Sequence, residues 1–166
     1  ILEKQPENVD AIMGLAIQLL RKGFLEDSLS WLTRGLEINP RLARANYLRS
    51  SILFRQGDFL QGDLAIGRAL ELDPANLSYQ LLFLRRQLMK GKLSVVEKQL
   101  NLIQEKHPLN TEALQLQADL YKSLGNSIEA EELLRQAILV HDSPSIHFSL
   151  ARVLYQQSKF RSALEV

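Results

Sequence analysis

The amino-acid sequence predicts an all-α protein, namely a right-handed α-solenoid built from antiparallel helix pairs. The main observation is a double register of prolines and glycines, in which each series repeats every 34 residues. The members of the two series are Pro6, Pro40, Pro74 and Pro108, and Gly23, Gly57, Gly91 and Gly125. Between them, apolar residues recur at steps of three and four, which is the spacing of one face of an α-helix. A fixed period of this length indicates stacked helix–turn–helix units.

The clearest unit covers residues 43–74 and contains two amphipathic stretches joined at Gly57. Glycine tolerates the backbone angles of a tight turn, so Gly57 marks the join, and Asp73 with Pro74 ends the second helix. Neither helix could bury its apolar stripe alone. The pair therefore needs neighbouring pairs, which the repetition of this unit along the chain supplies.

This period and this order of helix, turn and helix resemble the tetratricopeptide repeat family over nearly the whole chain. The resemblance implies one array over residues 1–166, in which residues 1–8 end a preceding repeat. The expected repeats are about 9–42, 43–76, 77–110 and 111–143, with a partial repeat at 144–166. In the first repeat we expect helices near 8–21 and 25–38. Because the chain opens at the end of one repeat and stops within a helix, we expect a segment of a longer array.

Three positions in each unit carry small side chains, which let the two helices of a unit and the first helix of the next approach closely. In repeats one, two and four these residues are Ala16, Ser28 and Gly35, then Ser50, Gly62 and Ala69, then Ala118, Ala130 and Ala137. The third repeat carries Leu84, Val96 and Ile103 instead. A core at native density cannot absorb three larger side chains, so we expect its helices, near 75–90 and 93–106, to lie further apart or cross differently.

The fifth repeat departs from the register in two ways. Ala151 follows Ala118 by 33 residues, so we expect the connection near Pro144 to have lost one residue. Ser158 also stands where the earlier repeats have the turn glycine. We expect fraying in this last unit, because it stops before its second helix is complete.

Composition excludes several classes of function. The 20 basic and 19 acidic residues give a formal charge of +1, so no strong overall field favours nucleic acid or an anionic membrane. The chain contains no cysteine, which excludes a disulfide framework, a thiolate nucleophile and a cysteine-ligated zinc site. No apolar run approaches the roughly 20 residues of a membrane-spanning helix, so we expect no membrane insertion. The compartment stays open.

The sequence offers no catalytic or metal-binding constellation. Of the three histidines, His107, His141 and His147, the last two are six residues apart with Pro144 between them, which is not the i, i+4 spacing of a helical zinc pair. No phosphate-binding glycine loop, nucleophile elbow or zinc-protease motif is present. We therefore predict no catalytic residue, no metal site, no cofactor and no enzymatic activity.

In the family that the chain resembles, the first helix of each repeat lines a concave groove, so the resemblance implies that a partner binds there. The partner-binding residues that this register predicts are Met13, Ile17, Arg44, Tyr47, Ser51, Arg55, Arg85, Met89, Asp119, Arg152 and Tyr155. The same register also places Leu81 and Leu116 on this face. Met13, Ile17 and Leu48 stand where family members that grip acidic chaperone tails carry lysine and asparagine, so that function is disfavoured.

Charge divides the predicted groove. Residues 41–90 hold eight basic and four acidic residues, and three of the arginines fall on groove positions. The fourth repeat presents Glu112 and Asp119 instead. Guanidinium groups suit carboxylates, peptide carbonyls and aromatic faces. A groove that is basic in the middle and acidic towards its C-terminal side would therefore set the direction of a bound segment.

The sequence thus predicts a non-catalytic protein–protein interaction scaffold that holds a peptide or partner-protein segment in its concave groove. One alternative is a regulatory or substrate-presenting arm of a larger enzyme or of a secretion or assembly complex. Another is a self-association module that pairs through the exposed ends of the array. Nucleic-acid binding is disfavoured, because near-neutral charge and an acidic fourth repeat do not form the basic stripe that a phosphate backbone requires.

Overall fold

The computed structural model describes residues 7–166, and within this range all regular secondary structure is helical. The ten helices of the described range are α1 (Val9–Arg21), α2 (Leu25–Ile38), α3 (Ala43–Gln56), α4 (Phe59–Leu72), α5 (Leu77–Met89), α6 (Leu93–Lys106), α7 (Thr111–Leu124), α8 (Ser127–Val140), α9 (Pro144–Gln156) and α10 (Phe160–Leu164). The chain divides into two compact units, with the boundary between Phe83 and Leu84 inside α5. Unit 1 contains α1 to α4, and unit 2 contains α6 to α10. Residues 1–6, which include Pro6 and most of the segment expected to end a preceding repeat, lie outside the described residues.

The helix bounds follow the sequence prediction closely, and the differences are one or two residues at helix ends. α2 and α6 have the predicted bounds, whereas α1 begins at Val9, one residue later than expected. Asn8 caps α1 instead of joining it, because its side-chain oxygen accepts a hydrogen bond from the Ala11 backbone N–H at 2.9 Å. α5 begins at Leu77, two residues later than expected, and ends at Met89.

A Schellman turn recurs between the paired helices. In each turn the backbone N–H after the turn residue donates to the carbonyl five positions earlier, at 2.9 to 3.1 Å. These bonds run from Phe24 to Leu19, Asp58 to Leu53, Lys92 to Gln87, Asn126 to Tyr121 and Lys159 to Leu154. The turn residue has φ between 72° and 85° at the four glycines and 62° at Ser158. Ser158 therefore keeps the turn in a left-handed conformation that disfavours a side chain.

Small residues mark close approaches between the helices of unit 1, as the sequence predicts. Ser28 is buried, and its hydroxyl donates to the Ala16 carbonyl at 2.8 Å, which links α2 to α1. A Cβ added to Gly62 on α4 would overlap the ring of Phe54 on α3, so glycine leaves the space that the ring fills. Two clusters of buried residues lie in unit 1, namely Ala16, Leu32, Ala45 and Ile52, and Ile66, Ala69 and Tyr79.

One core cluster of unit 2 joins α7, α8 and α9. Its buried members are Leu114, Ala118, Ala130, Leu134, Ala137, Ile146, Leu150, Val153 and Leu154. The three larger residues of the third repeat, Leu84, Val96 and Ile103, are also buried. The expected wider separation of α5 and α6 stays a prediction, and a comparison of interaxial distances between the helix pairs would test it.

Candidate partner-binding surface

Three residues form a line along α3, the first helix of its pair. Ser51 follows Arg44 by seven residues and Arg55 follows Ser51 by four. At about 3.6 residues per turn, the three lie within about 40° of one another around the helix axis. Both arginines are exposed and Ser51 is half-buried. We call Arg44, Ser51 and Arg55 the α3 stripe.

The two arginines of the α3 stripe form no ion pair with a carboxylate of the described residues. α3 contains no aspartate or glutamate, and among residues 7–166 neither Arg44 nor Arg55 forms an ion pair. By contrast, Arg68 on the neighbouring helix α4 pairs with Glu71 at 2.6 Å. Arg44 and Arg55 are eleven residues apart, which corresponds to roughly 16 Å along the helix axis. Within the described range, the stripe therefore presents two unpaired guanidinium groups at a defined separation.

Tyr47, which the sequence places on the binding face, has a packing role. Its ring stacks on that of Tyr79 with centroids 4.9 Å apart and planes inclined by 29°, and it packs against the cluster around Ile66 and Ala69. Burial raises the pKa of Tyr79, the charge of Asp73 raises it further, and Arg44 lowers it. Tyr79 lies 32 residues after Tyr47 instead of 34, so the repeat period did not reveal the pair.

Unit 1 also carries partly exposed apolar side chains on α1 and α3. Met13 and Ile17, on α1, are half-buried, as is Leu48 on α3. Met13 and Leu48 pack against the cluster that contains Ala16 and Ile52. Each of these side chains keeps some exposed area, so unit 1 combines apolar contact surface with the charges of the α3 stripe.

Four of the predicted binding residues in unit 2 differ from one another in exposure and in contacts. Arg85 and Met89 are exposed on α5. Asp119, on α7, is half-buried and pairs with Lys122 at 2.9 Å. On α9 the guanidinium carbon of Arg152 lies 5.9 Å from the ring centroid of Phe148. The guanidinium group of Arg152 therefore already makes a cation–π interaction with Phe148.

An open cleft lies between α9 and α10 in unit 2. Its volume is about 470 Å³, and Arg152 is its charged lining residue. The ring of Tyr155 meets that of Phe160 edge-on, with centroids 5.1 Å apart and planes inclined by 68°. Leu164 also lines the cleft and is 90% exposed. The cleft is thus mainly apolar and brings together two residues predicted to contact a partner, Arg152 and Tyr155.

Two of the wider register assignments are wrong. Leu81 and Leu116 were expected on the groove face, but both are buried, at 4% and 0% exposure. Leu81 holds the register position of Met13 and Tyr47, which are themselves half-buried. That position lies at the border between core and surface, so the neighbouring packing decides whether a side chain there is accessible.

Side chains that could bind metal are not clustered in the described part of the chain. Among residues 7–166, no three histidine, aspartate or glutamate side chains are grouped as a metal ion would need. His147 Nε2 lies 2.5 Å from Asp142 Oδ1, and this pair is open to solvent. In the same range, no helix is long and apolar enough to cross a bilayer.

Comparison with known proteins decides the family. Two tetratricopeptide repeat models match the chain, one at residues 43–76 and one at residues 116–166, together just over half of its length. The chain belongs to the tetratricopeptide repeat family. Its fold class is an all-α solenoid of antiparallel helix pairs, as the sequence predicts. Tetratricopeptide repeat proteins serve generally as scaffolds for protein–protein interaction and are generally non-catalytic.

The proteins similar to this tetratricopeptide repeat chain include one that is much longer and one of nearly the same length. The CTR9 homolog of Arabidopsis thaliana is 25% identical over 171 residues, which cover 98% of this chain and 16% of that protein. The chain therefore spans about a sixth of that relative's length. TTC0263 of Thermus thermophilus superposes with a TM-score of 0.82 at 21% identity, covering 95% of this chain and 87% of that one. A chain in the APC/C hetero-tetramer Cut9–Hcn1 superposes with a TM-score of 0.84 at 13% identity, covering 99% and 33%.

Proposed function

We propose that this tetratricopeptide repeat protein is a non-catalytic scaffold that binds a peptide or partner-protein segment in the concave groove lined by the first helices. The observation that carries the proposal is the exposed α3 stripe, whose two arginines have no carboxylate partner among residues 7–166. A similar fold occurs in the hetero-tetramer Cut9–Hcn1, where two different proteins assemble. The general scaffold role of the family supports the same reading.

The chemistry of unit 1 suits a segment with both apolar and polar groups. Met13, Ile17 and Leu48 supply partly exposed apolar area, which contributes affinity when a partner removes it from water. Arg44 and Arg55 supply donors arranged as planar forks, which orient carboxylates or backbone carbonyls. Apolar contacts contribute mainly affinity in this arrangement, whereas the arginines contribute mainly orientation and selectivity.

The contacts proposed outside unit 1 are Arg85, Met89, Asp119, Arg152 and Tyr155. Arg85 and Met89 are exposed and reach a partner without rearrangement. Asp119 and Arg152 already interact with Lys122 and Phe148, so a partner would have to compete with those contacts. We therefore expect substitutions in the α3 stripe to weaken binding more than substitution of Asp119 or Arg152.

Site-directed photo-crosslinking tests the location, since the chain has no cysteine and a single introduced one can be labelled selectively. Ser51→Cys places a benzophenone label in the α3 stripe. Ser30→Cys is the matched control, because Ser30 is exposed on α2, a second helix. Peptides selected on the unlabelled protein from a random library should cross-link at position 51 and not at position 30. Cross-linking at position 30 alone, or a library that yields no binder, would refute the proposal.

A second candidate function is self-association through the cleft between α9 and α10. Phe160 and Leu164 are 53% and 90% exposed there, and removing such apolar area from water favours pairing. Sedimentation equilibrium would then show a dimer that dissociates on dilution and that Leu164→Ser weakens. A monomer at every concentration up to the solubility limit would exclude this function.

A further inference from the structure

The α3 stripe has a charge pattern that no other first helix of the described chain shares at the same three register positions. The corresponding residues are Asp10, Ile17 and Arg21 on α1, Ser78, Arg85 and Met89 on α5, Glu112, Asp119 and Ser123 on α7, and Ser145, Arg152 and Gln156 on α9. α3 alone among these helices carries two cations and no anion at these positions, whereas α7 carries two anions and no cation. A generic solvated helix surface does not require this difference.

We propose that the α3 stripe selects an acidic, extended segment of a partner protein whose two carboxylates are about 16 Å apart. This inference rests on the function proposed above and names the chemistry of its partner. An extended chain advances about 3.3 Å per residue and its side chains alternate between two faces, so two acidic residues on one face that bracket this distance are four or six positions apart. Arg44 binds one carboxylate and Arg55 the other.

The residues between the arginines define the middle of the motif. Leu48 and Ser51 lie between Arg44 and Arg55 along α3, and Leu48 keeps part of its surface exposed. A small or apolar side chain in the middle of the partner segment can contact Leu48, whereas a third carboxylate there would lose its water without gaining an arginine. The expected motif is therefore acidic residue, three or five mostly apolar residues, acidic residue.

Charge within unit 1 is compatible with an acidic ligand at this face. Asp73 is the carboxylate that acts on Tyr79 together with Arg44, so it lies in the neighbourhood of one end of the stripe. Asp73 accepts a hydrogen bond from the Asn76 side chain at 3.2 Å and forms no ion pair with Arg44 among the described residues. Arg44 consequently keeps its donors for a ligand, and Arg55 has no acidic residue on its own helix.

The same observations favour a protein segment over a nucleic acid. Successive phosphates in one strand are about 3.4 Å apart along duplex DNA, so a backbone ligand needs a continuous row of cations. The α3 stripe has two cations separated by roughly 16 Å with Leu48 and Ser51 between them. The formal charge of the whole chain is +1, which adds no long-range attraction for a polyanion.

Degenerate peptide pools measure the spacing without assuming a sequence. Each pool fixes two glutamates at two, four, six or eleven positions apart and randomises the remaining residues, and a further pool replaces both glutamates with glutamine. Exposed ion pairs are individually weak, so we expect severalfold enrichment of the four- or six-position pool on the immobilised protein. Arg44→Gln with Arg55→Gln should lower the affinity of peptides from that pool about tenfold. The charge-matched control, Arg68→Gln with Arg135→Gln, removes two arginines that pair with glutamates on second helices and should leave binding unchanged.

The outcomes separate this inference from the proposed function. Glutamine peptides that bind as well as glutamate peptides, and still cross-link at position 51, would overturn the acidic motif while the binding face stands. Enrichment of the eleven-position pool would overturn the extended conformation, because that spacing fits a helix. Single-stranded DNA that competes through Arg44 and Arg55 better than any peptide would overturn the choice of a protein partner. If no pool binds while the random library still yields peptides that cross-link at position 51, the motif fails and the proposed function stands.

Discussion

Replacing Gly62 tests the close contact between α4 and the Phe54 ring of α3. An added methyl group would overlap the ring of Phe54, whereas the same addition at Gly67, less than two turns further along α4, meets no atom within 4 Å. Alanine is favoured over glycine in a helix by about 1 kcal/mol, and overfilling a packed core costs about 1–3 kcal/mol. We therefore expect Gly62→Ala to lower the free energy of unfolding by about 1 kcal/mol and Gly67→Ala to raise it by about 1 kcal/mol.

The opposite signs make the pair its own control, since both changes add the same group to the same helix. Urea unfolding, read as a shift of midpoint at constant slope, gives the stability difference. Hydrogen exchange of the α4 amides measures the stability of α4 itself. This local value is needed because neighbouring repeats contribute separately to the stability of the chain. Gly62→Ala that stabilises the protein as much as Gly67→Ala would show that the Phe54 ring does not lie against Gly62.

A second variant identifies Phe54 as the cause. Leu20 holds the register position of Phe54 in the first helix pair, where the residue corresponding to Gly62 is Ser28. Phe54→Leu should therefore make room for a side chain at position 62. The combined loss in Phe54→Leu with Gly62→Ala should be smaller than the sum of the two single losses. Additive losses would refute direct contact between the two residues.

Three further predictions concern the turns, the helix contacts and acid stability. Ser158→Gly should raise the free energy of unfolding by about 1 kcal/mol and raise the thermal midpoint with it, because φ at this position is 62° and glycine adopts it without strain. An unchanged midpoint would show that Ser158 is not strained. Ser28→Ala should cost about 1 kcal/mol in urea unfolding by removing the hydrogen bond to the Ala16 carbonyl, and a neutral effect would contradict that bond. The hydrogen bond from Lys159, with that from Arg135, lowers the pKa of Glu131, so its stabilisation is present above the pKa of the unfolded chain and is lost as pH falls through the folded value. Unfolding midpoints measured from pH 6 to pH 3 should fall less steeply for Glu131→Gln than for the unaltered protein, and parallel curves would refute the contribution.

Local chemistry explains why the sequence predicted the helices and turns. Gly57 and Gly125 have positive φ because a Schellman turn requires it, and that requirement depends on the few residues around each glycine. Asn8 ends up as a cap because its own side chain reaches the first turn of α1. Such effects act within five or six residues, so a single sequence contains the information for them.

Accessibility of the candidate site depended on contacts between distant residues. Tyr47 fits a binding face by register, yet the ring of Tyr79 covers part of it. Leu81 and Leu116 fit the same face and are buried. The α3 stripe showed the reverse case, because its arginines could have formed ion pairs with acids elsewhere in the described chain and do not. Register places a side chain on a helix face but does not say what lies opposite.

The sequence by itself determined the period, the helix pairs, the turn residues and the family, because each follows from spacing along the chain. Only the tertiary structure decided that Phe54 fills the space above Gly62, that Tyr47 stacks on Tyr79, and that Arg44 and Arg55 remain unpaired in the described residues. The physical reason is that packing and ion pairing depend on distances of a few ångströms between residues far apart in sequence. Those distances are set when the helices pack together.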